Sequence, residues 1–159
     1  MPMIEKSIEV NVPVNVAYDQ WTQFEDFPQF MQGVIEVTQI NDTHLHWVAE
    51  IAGRHEEWEA EITEQIPDKR IAWHSISGAR NAGVVTFHPI SPSISRIMLQ
   101  MEYDPEGFLE NAGDTLGLLT HRVTGDMERF KEFIETRRAA TGSWRGEVDH
   151  DTRHVTPPR

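Results

Sequence analysis

The sequence predicts an α+β architecture: a curved antiparallel sheet of about seven strands around one long C-terminal helix, with two short helices after the first strand. Three observations carry that prediction. Residues 34 to 103 are a succession of short alternating runs broken by turn residues, residues 108 to 137 hold one unbroken helical stripe, and residues 14 to 31 show helical spacing interrupted by Pro28. A chain of 159 residues matches one ordinary domain and can bury roughly two-thirds of the surface its unfolded form exposes.

Ile8, Val10 and Val12 alternate along a first strand that Pro13 ends. Val14, Ala17, Tyr18 and Trp21 then fall at i, i+3, i+4 and i+7, one helical face, with Pro13 tolerated beside a first turn whose N–H groups have no helical partner. In FEDFPQFM, Phe24, Phe27, Phe30 and Met31 surround Pro28, which permits a single helical turn.

Turn signals at Asn41-Asp42, Gly53-Arg54, Pro67-Asp68, Gly78 to Gly83 and Pro89 to Ser93 divide the next segment into six strands. With Gly53-Arg54 as a two-residue hairpin loop, Trp47 opposes Ala60, Ala49 opposes Trp58 and Ile51 opposes Glu56. With Pro67-Asp68 as the next turn, Ile62 opposes Trp73 and Ala60 opposes Ser75, so one apolar face continues across three strands. Val85, Phe87, Ile97, Leu99, Met101 and Tyr103 extend that face, while Arg96, Gln100 and Glu102 point away.

The long helix is predicted from about Phe108 to Arg137. Its apolar stripe is Leu109, Ala112, Leu116, Leu119, Val123, Met127, Phe130 and Ile134, and Arg122, Glu128, Arg129, Lys131, Glu132 and Glu135 form the side that meets water. Gly113, Gly117, Thr120 and Thr124 make a flank of small residues. Residues 1–140 are expected to form a single domain, and residues 141–159 a polar, disordered tail in which Trp144 alone could dock.

Composition removes several function classes. Fourteen Lys and Arg stand against 26 Asp and Glu, a net charge of -12 that repels a phosphate backbone, so no nucleic-acid partner is expected. The chain has no cysteine, hence no disulfides, thiolate metal sites or cysteine nucleophile. Charges in MPMIEKSIEVNV fall where a signal peptide needs an apolar run, and no stretch approaches the roughly 18 apolar residues of a membrane span. A cytoplasmic location without membrane insertion is therefore expected; oligomeric state is not legible.

Four motifs, WTQFEDFPQFMQGV (Trp21–Val34), RIAWHSISG (Arg70–Gly78), MEYDPEG (Met101–Gly107) and RFKEFIETR (Arg129–Arg137), sit on this element order. Together they resemble the START-like (SRPBCC) superfamily and, within it, the bacterial polyketide cyclase/dehydrase family, related to coenzyme Q-binding proteins. The resemblance implies a helix-grip fold with a cavity between the sheet and the long helix, and as partner a small apolar molecule: a polyketide, quinone or lipid. The alternative it implies is a polyketide cyclase, aromatase or dehydratase acting on such a ligand.

The residues agree with a pocket, since the sheet face is rich in Trp and the helix flank is small. The ligand-binding set is expected to be Tyr18, Phe27, Phe30, Trp47, Trp58, Trp73, Ser75, Phe87, Leu99, Met101, Tyr103, Leu116, Leu119 and Thr120. No catalytic residue is assigned: Tyr18, Glu56, Ser75, Ser77, Tyr103 and Arg80 are the inward or strand-end polar groups, without a nucleophile-base pair or phosphate loop. No cofactor and no metal are expected. The predicted register sets His46, Glu61 and His74 in a row, but on the outer face and without a fourth ligand, and His121 faces solvent.

Overall fold

The structure, a computed structural model, describes residues 3–51, 53–104, 115–149 and 155–158; the side chains of 115 and 116 are outside that description. β1 (Met3–Val10) leads into α1 (Val14–Trp21) and a 3-10 helix (Phe24–Gln29). Six strands follow: β2 (Val34–Gln39), β3 (His44–Ile51), β4 (Arg54–Ile66), β5 (Arg70–Gly78), β6 (Asn81–Ser91) and β7 (Ile94–Tyr103). Then come α2 (Thr115–Arg137) and the short strands β8 (Glu147–Val148) and β9 (Val155–Thr156). The main sheet runs β1-β7-β6-β5-β4-β3-β2, all antiparallel, so the meander keeps chain order and β1 joins its last strand.

Pro13 caps α1 with its carbonyl, which accepts from the N–H groups of Val16 and Ala17. The predicted face buries Ala17, Tyr18 and Trp21. Gln20 is buried as well, because Thr141 satisfies both ends of its amide: the backbone N–H of Thr141 donates to Gln20 Oε1 (2.9 Å), and Gln20 Nε2 donates to Thr141 Oγ1 (3.1 Å).

In the β4–β5 pair Ala60 meets Ser75 and Ile62 meets Trp73, as the turn at Pro67-Asp68 predicts. The turn itself is longer, with Ile66 opposite Arg70 and Asp68 at φ 63°, and an irregularity between Ile62 and Glu64 absorbs the extra residue. The β3–β4 pair corrects the predicted register by two residues. Ile51 pairs with Arg54, Ala49 with Glu56, Trp47 with Trp58 and Leu45 with Ala60, and Gly53 (φ 78°) takes the second connecting place instead of the first. A slip of two keeps every side chain on its predicted face, so the apolar surface survives. What changes is the neighbour: Trp47 and Trp58 stack directly across the strands, ring centres 5.6 Å apart and planes 10° from parallel.

On α2 Leu119, Met127, Phe130 and Ile134 are buried and Val123 packs beside them, the stripe that the three-and-four spacing predicts. Leu109, Ala112 and Gly113 lie outside the described residues. The polar side is less solvated than predicted. Lys131 Nζ donates to Glu9 O (2.9 Å) and to Glu135, which accepts from the Asn11 N–H (2.7 Å), and so fastens one flank of the helix to the end of β1. Arg122 and Arg129 grip the other flank, at the loop before β2.

Residues 141–149 are packed where a disordered tail is expected, while 150–154 and 159 of that expected tail lie outside the described residues. Arg145 bonds to Asp19 and lies 2.7 Å from Asp68, with its guanidinium 5.4 Å from the Tyr18 ring centre. The Trp144 N–H donates to Thr22 Oγ1 (3.1 Å), and Val148, 2% exposed, pairs with Gln65 on β4. Polar composition alone suggested a loose chain, but these polar groups have specific partners across the fold. The fold thus runs through at least Val148.

Candidate functional site

The buried apolar residues fall into two clusters. One gathers α1, the 3-10 helix, the C-terminal half of α2 and the sheet beneath them; the other is a smaller group of Ile4, Ala49, Ile51, Ala79, Tyr103 and Leu119. A cavity of about 180 Å³ is lined by members of both, between the concave sheet face and α2. One water needs about 10–15 Å³ measured the same way, so this is room for a ligand and not a packing flaw.

Trp47, Trp58 and Trp73 form one wall, with Ile62, Ile71, Leu99 and Met101 around them. Leu119, Val123 and Met127 of α2 form the roof, and Trp21, Phe24 and Phe27 close the side. Ala49 and Ala60 also line the space. Both stand on the same face as the tryptophans, and their short side chains are part of why the large rings enclose a void instead of filling it.

Of the predicted set, Phe27, Trp47, Trp58, Trp73, Leu99, Met101 and Leu119 line the cavity. Tyr18 and Phe87 are core residues instead, ring to ring at 5.2 Å in an edge contact, and Gln65 Nε2 donates to the Tyr18 hydroxyl at 3.1 Å. Burial in that position pushes the Tyr18 phenol up to about 12. Phe30 is packed against Phe27, Phe130 and Phe133, and Tyr103 is fully buried in the smaller cluster. Ser75 Oγ accepts from the Asn81 N–H (3.0 Å), a strand-end bond outside the cavity wall. Thr120 is half-buried on α2 without lining the space, and the Leu116 side chain is outside the described residues.

Among the described lining residues four are polar: Asn81, Gln32, Arg122 and Asp126. Asn81 is deep and already engaged. Its Oδ1 accepts from Trp73 Nε1 (3.0 Å) and its Nδ2 donates to Ala79 O (3.1 Å), which fixes the Trp73 ring and satisfies its only donor.

The other three gather where the loop before β2 meets α2. Arg122 Nη1 donates to Gln32 O at 2.7 Å and reaches Glu50 O at 3.5 Å, while Asp126 accepts from the Gln32 N–H at 2.9 Å. Arg129 bonds to Asp126 and donates through Nε to Phe30 O (3.1 Å). Burial raises the Asp126 carboxyl above its ordinary value, against the opposing pull of Arg129 and the Gln32 N–H. Gly33, at φ 90°, makes the arrangement fit: a Cβ there would stand 1.8 Å from Arg122 Nη1.

The sequence reading placed Arg122 and Arg129 in water and did not select Gln32, Gly33 or Asp126. Their signal was present as a charged stripe, Arg122, Asp126 and Arg129, at helical spacings of four and three. Trp21, absent from the expected ligand-binding set, also lines the cavity.

His46 and His74 stay on the outer face, with the pairing shifted by the same two residues. His44 and His74 both approach Glu61, at 3.5 and 3.2 Å, and His46 bonds to Glu57 at 3.0 Å. His121 is exposed.

Residues 10–132 match the family model described as polyketide cyclase / dehydrase and lipid transport. A Streptomyces lincolnensis protein, described as the uncharacterized 17.2 kDa protein in the melC2-rnhH intergenic region, is 54% identical over 149 residues, 93% of this chain and 99% of that one. Among solved structures, the Zhui aromatase/cyclase of Streptomyces sp. R1128 superposes with a TM-score of 0.72 at 12% identity, over 89% of this chain and 98% of its own. A START superfamily protein from Mycobacterium smegmatis gives 0.62 at 16% identity, over 85% and 95%. At such identities the structural likeness establishes the shared helix-grip fold. With most of its length matched by the family model, the chain belongs to the polyketide cyclase / dehydrase and lipid transport family.

Proposed function

We propose that the protein binds a small apolar molecule, a polyketide, quinone or lipid, in the cavity between the sheet and α2. The observation that carries this reading is the wall itself: three tryptophans and a ring of aliphatic side chains around about 180 Å³, with the polar residues among the described lining at Asn81 and one rim. Apolar surface of this extent, kept open inside a closed fold, gains most when a matching apolar body displaces water from it.

The family also suits a cyclase, but these walls favour binding. Asp126 is the single carboxyl among the described lining residues, and it is bonded to Arg129 and the Gln32 N–H. Asn81 is committed to Trp73 and Ala79. Neither group is set to pass protons to and from a substrate.

A cytoplasmic role belongs to the same proposal. The chain carries no cysteine, and no helix among the described residues is long and apolar enough to cross a membrane.

Titration with 1,4-naphthoquinone and with fused-ring hydrocarbons, followed by tryptophan emission, tests the reading. Saturable quenching is expected, weakened about tenfold in Trp73→Ala. His74→Ala should leave it unchanged, because His74 sits on the opposite sheet face against Glu61. Wild-type emission unaffected by every ligand of the series would overturn the proposal.

A further inference from the structure

We propose that the ligand of this cavity carries one acidic oxygen group, a carboxylate or an equivalent oxyanion, and that Arg122 receives it at the rim. The inference rests on the reading of the cavity as a ligand site and names the chemistry of the ligand's polar end.

The first support is the charge balance among the described lining residues, which include one cation, Arg122, and one anion, Asp126. Asp126 is answered locally, by Arg129 and the Gln32 N–H. Arg122 makes no direct ion pair among the described residues; it acts on Asp126 only as the weakest of the favourable influences there, behind Arg129 and the Gln32 N–H. Arg122 Nη1 is held by the carbonyls of Gln32 and Glu50, and among the described residues no carboxylate lies within ion-pair distance of it. A guanidinium has five N–H donors in a planar fork, so Nε and Nη2 keep donors for a planar oxyanion.

The second support is independent of charge. The seat of the guanidinium is built into the backbone: Gly33 has φ 90°, and any side chain there would occupy the position of Arg122 Nη1. The carbonyls of Gln32 and Glu50 hold one edge of the fork in that seat. A Cβ at Gly33 would also stand 2.7 Å from Glu50 O, so the glycine serves the close backbone approach and leaves room for the guanidinium beside it.

The net charge of -12 works against anions at long range, but that field is screened over about 10 Å at ordinary salt, whereas a direct charge-assisted bond is not. The arrangement therefore selects a molecule with an apolar body for the tryptophan wall and its acid at one end. A neutral hydrocarbon satisfies only the wall.

A matched pair of ligands tests this: 9-anthracenecarboxylate and 9-methylanthracene, alike in ring and size, titrated against tryptophan emission at one pH and salt. The acid is expected to bind wild-type protein about tenfold more tightly or better, with a preference that shrinks as salt rises. Arg122→Gln should bring the two affinities to parity, Arg122→Lys should restore part of the difference, and Gly33→Ala should reduce it by displacing the guanidinium. Using the ratio keeps a general loosening of the rim, which would weaken both ligands, separate from loss of the anion contact. The wild-type comparison holds even if a variant fails to fold. Equal binding of the two ligands to wild type would overturn the inference and leave the cavity reading standing, while binding of neither would overturn the cavity reading itself. A full preference persisting in Arg122→Gln would take the acid contact away from Arg122.

Discussion

The two halves of α2 roof the same sheet and do opposite things. Toward its C-terminus, Phe130 packs edge-on against Trp21 at 5.0 Å and Phe30 at 5.1 Å, Phe130 and Ile134 are fully buried, and the interior is filled. Toward its N-terminus, Leu119 and Val123 stand above Trp47, Trp58, Ala49 and Ala60, and the interior is open. Both ends are rich in aromatic rings. The difference is the size of what faces them: large meets large at the filled end, while alanines on the sheet face leave the tryptophans at the open end with nothing to fill the centre. A count of aromatic residues therefore does not separate a core from a pocket, but the alternation of large and small residues on one face does.

That contrast predicts unequal responses to truncation. Phe130→Ala, at the filled end, should cost about 3–5 kcal/mol, because the ring leaves a closed void that its neighbours cannot reach. Chemical denaturation would show it as a lower midpoint, and an unchanged midpoint would break the comparison. Ending the chain after Ala140 should cost about 2–4 kcal/mol, through the lost burial of Val148 and the stranded amide of buried Gln20. A truncated protein as stable as the full chain would show that the docked segment adds nothing to the filled end. Leu119→Ala should cost less, about 2–3 kcal/mol, since the cavity already borders it. A loss equal to that of Phe130→Ala would mean the open end is packed after all.

The smallest effect is a titration at the filled end. The Tyr18 phenol is raised from 10.0 to about 12, so between those values the folded protein keeps a proton that the unfolded chain releases. Stability from this source is complete below pH 10 and is lost as pH rises toward 12. Tyrosinate absorbance should show an ionisation step near pH 12 that Tyr18→Phe removes. Ionisation of Tyr18 near pH 10 would contradict its burial against Gln65 and Phe87.

The comparison also explains what the sequence could and could not disclose. Periodicity is local, and it located the strands, the face of α1 and the stripe of α2, because each follows from spacing within one element. The β3–β4 register was wrong by two although the face was right: period-2 alternation fixes parity, whereas the pairing depends on which residues make the turn, and Gly53 serves in either connecting place. Of the residues expected in the pocket, Tyr18, Phe30 and Phe87 face inward at the filled end, where inward residues are core, and Tyr103 is buried in the smaller cluster beside Leu119 without lining the space. The rim was missed for a different reason. Arg122, Asp126 and Arg129 look like an ordinary solvated stripe until the loop at Gln32 and Gly33 is laid across them, a contact of some ninety residues' separation. The docked segment after α2 was missed in the same way, since Arg145 reads as a surface charge until Asp19 and Asp68 are brought to it.

Filling the cavity from the sheet side tests the account most directly. Ala60 is 1% exposed, lines the space and shares the face of Trp58, so Ala60→Phe places a ring where the ligand is held to lie. The account predicts a folded protein that melts at or above the wild-type temperature, because the ring occupies an existing void, and that no longer shows saturable quenching by apolar aromatic ligands. A variant that unfolds would mean the space is not there. A stable variant that binds these ligands as tightly as wild type would mean they bind elsewhere.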